Sequence, residues 1–169
     1  MSETTIREME PFRHMVRQLI AMGSPVRIDN SSAEHAKVIL EEMFRAAQKT
    51  AYVFCGCISL PVWGSVAMAE NIEDAIATRG VSVRFIVQNP QAIPVDSPTV
   101  AALRRHKGTI VTSPIFKDFA SHFAVFDSKM YRFEKSDAAK TAVACANGRE
   151  SAGQLHQLAE QMIDVATEA

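Results

Sequence analysis

Between residues 6 and 22, Ile6, Met9, Phe12, Met15, Val16, Leu19 and Ile20 recur at helical spacing, and Gly23-Ser24-Pro25 ends the run. An amphipathic helix is predicted there, interrupted near its start by Pro11. Ser31 and Glu34 have the spacing of a capping box, in which the hydroxyl and the carboxylate reciprocally satisfy free backbone amides. Ala36, Ile39, Leu40, Met43, Phe44 and Ala47 then mark the buried face of a second helix running to about Lys49. Residues 52–58 are almost wholly apolar and lead into a proline loop, the pattern of a central strand covered on both faces.

Residues 70–79 return to helical spacing and stop at Gly80, and residues 81–87 then alternate as a strand. Strand, helix, strand in that order calls for parallel pairing through a right-handed crossover. Residues 89–98 are rich in proline and turn formers; Ser97-Pro98 opens a helix through Arg105, and residues 109–112 form a strand. The pattern then changes. Residues 121–127, 130–134 and 141–145 read as three short strands with little between them, followed by a helix capped by Asn147 over about 149–167. The reading is an α/β chain: alternating elements, a β-meander and a terminal helix. Residues 1–25 form an N-terminal helical segment and 26–169 a single domain.

Composition narrows the class. At 169 residues, 47% hydrophobic and 22% charged, the chain can bury one proper core. A formal net charge of -1 gives no whole-chain basic field for nucleic acid. No apolar run is long enough to span a bilayer, and the first residues lack the basic-then-apolar order of a signal peptide, so a cytoplasmic location without membrane contact is expected. Cys55, Cys57 and Cys145 lack metal-ligand spacing and read as small buried hydrophobes. No cofactor or metal is expected, since glycine-rich phosphate loops, nucleophile elbows and Cys/His constellations are missing from the sequence.

The densest chemistry lies in residues 120–137. Here Asp127, followed by the turn Ser128-Lys129, stands between a strand carrying His122 and a strand carrying Arg132 and Glu134. This order of elements resembles the phospholipase D-like family, whose signature is a strand written His-x-Lys, four residues, then Asp, with a second strand ending in Gly-Ser-x-Asn. In the register set by Asp127, Ala120 stands at the family's histidine and His122 at its lysine. Glu134 and Lys135 stand at Gly-Ser, and Asp137 at the asparagine. The resemblance implies a mixed sheet flanked by helices. In that family two motifs related by a two-fold axis face one another: one histidine attacks phosphorus, the other protonates the leaving oxygen, and lysines and asparagines stabilise the phosphoryl charge. A single-motif chain would build such a site as a homodimer.

The candidate site residues are therefore His122, as catalyst or ligand contact, with Asp127, Arg132, Glu134 and Arg149 as ligand contacts. Each has a structural alternative. His122 also reads as a buried histidine satisfied by one hydrogen bond, Asp127 as a turn cap, and Arg132 with Glu134 as an internal ion pair on one strand face. Arg149 opens the last helix, where backbone amides favour an anion. Trp63 is placed to wall a pocket at the carboxyl end of the central strand, and the basic run 104–107 reads as a solvated helix end. Three functions follow. The first is a catalytically degenerate, homodimeric binding or accessory domain for a phosphate-containing or anionic ligand, a small molecule or nucleic acid. The second is an active phosphodiesterase or nuclease using His122 from each subunit, and the third a protein-interaction module docking through the N-terminal helix.

Overall fold

A computed structural model describes residues 3–136 and 141–169. The chain begins with α1 (Glu3–Ala21), β1 (Arg27–Asn30), α2 (Ala33–Ala46) and β2 (Thr50–Cys55). It continues through α3 (Leu60–Trp63), α4 (Val66–Ala77), β3 (Ser82–Val87), α5 (Pro98–Arg105) and β4 (Thr109–Thr112). The last part holds β5 (His122–Phe126), β6 (Met130–Ser136), β7 (Thr141–Cys145), α6 (Arg149–Asp164) and β8 (Thr167–Glu168).

The strands form one eight-stranded mixed sheet in the order β1-β7-β6-β5-β2-β3-β4-β8. Its centre, β2-β3-β4, is parallel, because α3 with α4 and then α5 supply the long crossovers that parallel pairing needs. The other pairings are antiparallel. Asp127 and Ser128, both at positive φ (54° and 51°), make the tight β5–β6 turn, closed by Lys129 N–H donating to the Phe126 carbonyl. Asp is among the side chains that tolerate this left-handed region.

Period-two alternation in the strands divides the core into two layers. On one face Phe44 of α2 stacks parallel to Phe85 at 6.4 Å and meets the edge of Phe126 at 5.0 Å, with Trp63 and residues of α4 and α5 around them. On the other face α6 lays Ala152, Ala159 and Met162 over Tyr52, Phe54 and Val125. Each such ring or branched side chain, fully buried, contributes about 1.5–3 kcal/mol.

Several boundaries differ from the sequence reading, each for a local reason. Ser32, one residue later than expected, caps α2 by accepting from His35 N–H. The helix α1 runs through Pro11 uninterrupted: the hydrogen bond the proline cannot donate would have gone to the Arg7 carbonyl, and Arg7 and Pro11 are both exposed. The strand β1 was not legible because its four residues are mostly polar and gain order only by pairing with β7. Residues 167–168 leave the helix to pair with β4 as β8. Asn147 does not cap α6; Gly148 takes that position, and the Asn147 amide donates to the Gly23 carbonyl instead.

The amphipathic face of α1 is used within the chain. Val16 is buried, Phe12, Leu19 and Ile20 pack against the core, and Arg13 and Arg17 make ion pairs with the buried Glu41 and Glu42 of α2. No helix among the described residues is long and apolar enough to cross a membrane.

Candidate functional site

The β5–β6 register sets His122 opposite Glu134 and Ala124 opposite Arg132, so the three polar side chains share one sheet face. They face the carboxyl end of β2, where Gly56, Cys57 and Ser59 turn away and Trp63 closes the far wall. A cavity of about 200 Å³ results. A second, of about 250 Å³, adjoins it at the N-terminus of α2, and Ser59, Val62, Arg132 and Glu134 line both. The Arg132–Glu134 pair is thus the boundary between two chambers of one cleft.

Around that pair every polar group has an assigned direction. Asn30, 5% exposed, donates its amide to the Ile28 and Ala142 carbonyls, which turns its oxygen toward Arg132; Arg132 Nε donates to it at 3.0 Å. Arg132 Nη2 donates to Glu134 Oε2 at 3.1 Å, with the two side chains only 12% and 16% exposed. Burial pushes the Arg132 guanidinium below its ordinary pKa, and the Glu134 charge and hydrogen bond only partly offset this. Arg132 and Glu134 make the ion pair read as their structural alternative, and that pair lines the cleft.

His122 Nε2 lies 2.8 Å from Gln88 Oε1, and its ring meets Phe54 edge-on at 5.8 Å. Gln88 Nε2 donates to the Phe116 and Phe119 carbonyls at 2.6 and 2.7 Å, so its amide orientation is fixed by two acceptors. The Cys55 thiol also lines the cleft, but burial first, and Cys57 second, push its pKa far up, away from thiolate chemistry. Among the described residues no three His, Cys, Asp or Glu side chains are grouped to hold a metal ion.

Two expected site residues lie elsewhere. Asp127 is at the opposite end of β5, where Oδ2 accepts from Gln48 N–H at 2.9 Å and Oδ1 from Lys49 and Thr50 N–H at 2.7 and 2.9 Å. It caps the chain between α2 and β2, with both carboxylate oxygens accepting backbone N–H groups there. Arg149 is exposed at that same end, since Gly148 beside it donates to the Lys129 carbonyl of the hairpin turn. Both are corrected from ligand contacts to positions remote from the cleft. Asp137 lies outside the described residues. At the basic run, His106 and Arg105 pair with Glu73 at 2.7 and 3.8 Å, the structural role expected of a helix end.

Sequence reasoning missed Asn30, Gln88, Cys57 and Ser59. Gln88 carried a usable signal, a polar residue directly ending an apolar strand and preceding Asn89-Pro90. Asn30 carried none, because its role depends on β1 joining the sheet.

A parallel three-strand centre extended by an antiparallel meander, with a polar hairpin turned toward the cleft and one long helix behind, is the phospholipase D-like fold. The chain is similar to Nuc, a phospholipase D family member from Salmonella typhimurium, at 13% identity and a TM-score of 0.56, over 86% of this chain and 99% of that one. It is similar also to NucT from Helicobacter pylori, at 11% identity and a TM-score of 0.60, over 85% and 100%. TrmBL2, an archaeal chromatin protein with a novel mode of DNA binding, matches 99% of this chain at 15% identity and a TM-score of 0.62. This chain spans 66% of TrmBL2, just under two thirds of its length. No protein-family profile and no curated protein matches the sequence.

Proposed function

We propose that the chain is a catalytically degenerate phospholipase D-like binding domain, whose two-chambered cleft holds a small polar ligand carrying no net charge. The observation behind this reading is the Arg132–Glu134 pair. Among the described residues the only guanidinium lining the cleft is matched by a carboxylate 3.1 Å away, so a phosphate entering there would meet Glu134 as a like charge. This reading departs from the phosphate-containing or anionic ligand expected from the sequence. Hydroxyl or amide groups suit the place better: Arg132 has further N–H groups beyond the two that Asn30 and Glu134 accept, and Glu134 has acceptor capacity to spare. Such a ligand can bridge the pair without parting it. Trp63 and Val62 supply apolar wall.

The segments that follow the carboxyl ends of β2, β3 and β4 expose Leu60, Val66, Val95, Ile115 and Phe119, at 46–85% of their surface. Apolar surface at the cleft end of these strands supports self-association there, with two copies apposed end to end as a homodimer.

The test is a thermal-shift titration with inorganic phosphate and with bis(p-nitrophenyl) phosphate, on the native protein and on Glu134→Gln. The native protein is expected to ignore both. Glu134→Gln leaves Arg132 unmatched and is expected to gain phosphate binding, visible as a rise in Tm; saturation at 100 times Kd raises stability by about 2.7 kcal/mol. Native binding as tight as that of the variant would overturn the reading.

A second reading, an active phosphodiesterase, is favoured by the position of His122 in the cleft and by the likeness to Nuc. It requires release of p-nitrophenol by the native protein and loss of that turnover in a folded His122→Ala variant.

A further inference from the structure

Gln88 joins three parts of the molecule through one amide. It stands directly after β3; its Nε2 holds the Phe116 and Phe119 carbonyls, and its Oε1 faces His122 Nε2. With both Nε2 contacts being carbonyl oxygens, the amide cannot be turned over without setting oxygen against oxygen. Oε1 must therefore be the group facing the imidazole, and it can only accept. His122 Nε2 then carries a hydrogen, and in the neutral ring the lone pair lies on Nδ1.

Beyond Gln88, the segment is held by Phe116, which is 4% exposed in the core, and by the Ser121 hydroxyl donating to the Lys135 carbonyl at 3.0 Å. Residues 113–121 connect β4 to β5 through one short 3₁₀ turn at Pro114–Phe116. Phe116 and Phe119 meet the edge of Phe54, each at 6.1 Å, the ring that His122 also touches. Ile115 and Phe119 are 66% and 46% exposed.

We infer that Gln88 is a positioning residue that fixes His122 as a hydrogen-bond donor at Nε2 and couples its orientation to the seating of residues 113–121. Through this coupling, a change at His122 in the cleft reaches Ile115 and Phe119 at the surface. The inference does not depend on which ligand the cleft holds, so it stands or falls separately from the binding function proposed above.

The experiment combines imidazole nitrogen NMR with backbone amide exchange over residues 113–121 in the full chain. In the native protein His122 Nε2 is expected to be protonated. Gln88→Leu removes both connections; the fixed Nε2 signature is lost and exchange at the Phe119 amide rises roughly tenfold. Gln88→Glu separates the two, because its carboxylate still accepts from His122 but cannot donate to the carbonyls: the Nε2 hydrogen stays while exchange rises. It also carries the test if Gln88→Leu does not fold. Coupling is reciprocal, so His122→Ala is expected to speed exchange in the same segment. An unprotonated Nε2 in the native protein, or unchanged exchange in the Gln88 variants or in His122→Ala, would overturn the inference.

Discussion

At the turn of the β5–β6 hairpin the Asp127 carboxylate accepts three backbone N–H groups, whereas at the open end Glu134 accepts a side-chain N–H from Arg132 and borders two cavities. Both are acids on the same hairpin. The difference lies in what stands opposite each. At the turn, the chain leaving α2 delivers three consecutive amides, at Gln48, Lys49 and Thr50, that donate to this one carboxylate. At the open end, Gly56 and Ser59 diverge from the hairpin and leave space. An acid facing unpaired backbone becomes part of the scaffold, and an acid facing space stays available to a ligand.

The largest expected effect is at the scaffold end. Asp127→Ala removes the partner of three amides and places Ala at positive φ, and should cost about 3 kcal/mol, since net hydrogen bonds to a charged group contribute roughly 1.5–3 kcal/mol and these are partly exposed. Urea unfolding measures this, and a cost under about 0.5 kcal/mol, the range of a neutral surface change, would dissolve the contrast between the two ends.

Arg132→Met comes next, at about 2 kcal/mol, because it leaves Glu134 and the Asn30 oxygen without their partner. Pairing it with Glu134→Leu should recover most of that loss, since a buried ion pair replaced as a unit is often neutral. No recovery in the double variant would mean that the pair is not the unit described.

A smaller effect is expected at α1. Burial pushes the Glu42 carboxyl up, but hydrogen bonds from Arg17 and Arg13, with their charges, outweigh it and hold the pKa below its ordinary 4.5. A depressed folded-state pKa gives stability that is complete above the ordinary value and is lost as pH falls through the folded one. Amide protection in α1, taken relative to the intrinsic exchange rate at each pH, should therefore fall below about pH 4.5, the unfolded-state value, while the cleft strands hold. Protection independent of pH there would show that Phe12, Val16, Leu19 and Ile20 suffice to seat the helix.

The smallest effect on stability belongs to Val95→Ser, within about 0.5 kcal/mol because the side chain is 85% exposed. Light scattering is expected to show weaker self-association in this variant. An unchanged dimer, or a monomeric native protein, removes this apolar surface from consideration as an interface.

Periodicity alone carried most of the architecture. The apolar run at 52–58, the alternation at 81–87 and the meander after Asp118 sufficed for a mixed sheet in the phospholipase D-like order, because strand and helix periods are written in consecutive residues. Helix ends were less legible: two adjacent serines compete for the cap of α2, and only the geometry of His35 N–H selects Ser32. The site was half visible. His122, Arg132 and Glu134 were readable together because residues two apart on one strand share a face, and a hairpin brings the facing strand into register.

By itself, then, the sequence determined the order of elements and the polar face of the β5–β6 hairpin, both consequences of local spacing. Tertiary structure alone decided that Asp127 and Arg149 stand at the far end of the sheet, that Asn30 and Gln88 orient Arg132 and His122, and that Glu134 neutralises the guanidinium in the cleft. These depend on contacts between residues up to 102 positions apart, which arise only when β1 and β3 take their places in the sheet. A hydrogen-bond direction or a matched charge is a property of two groups brought together, and local sequence specifies only one of them at a time.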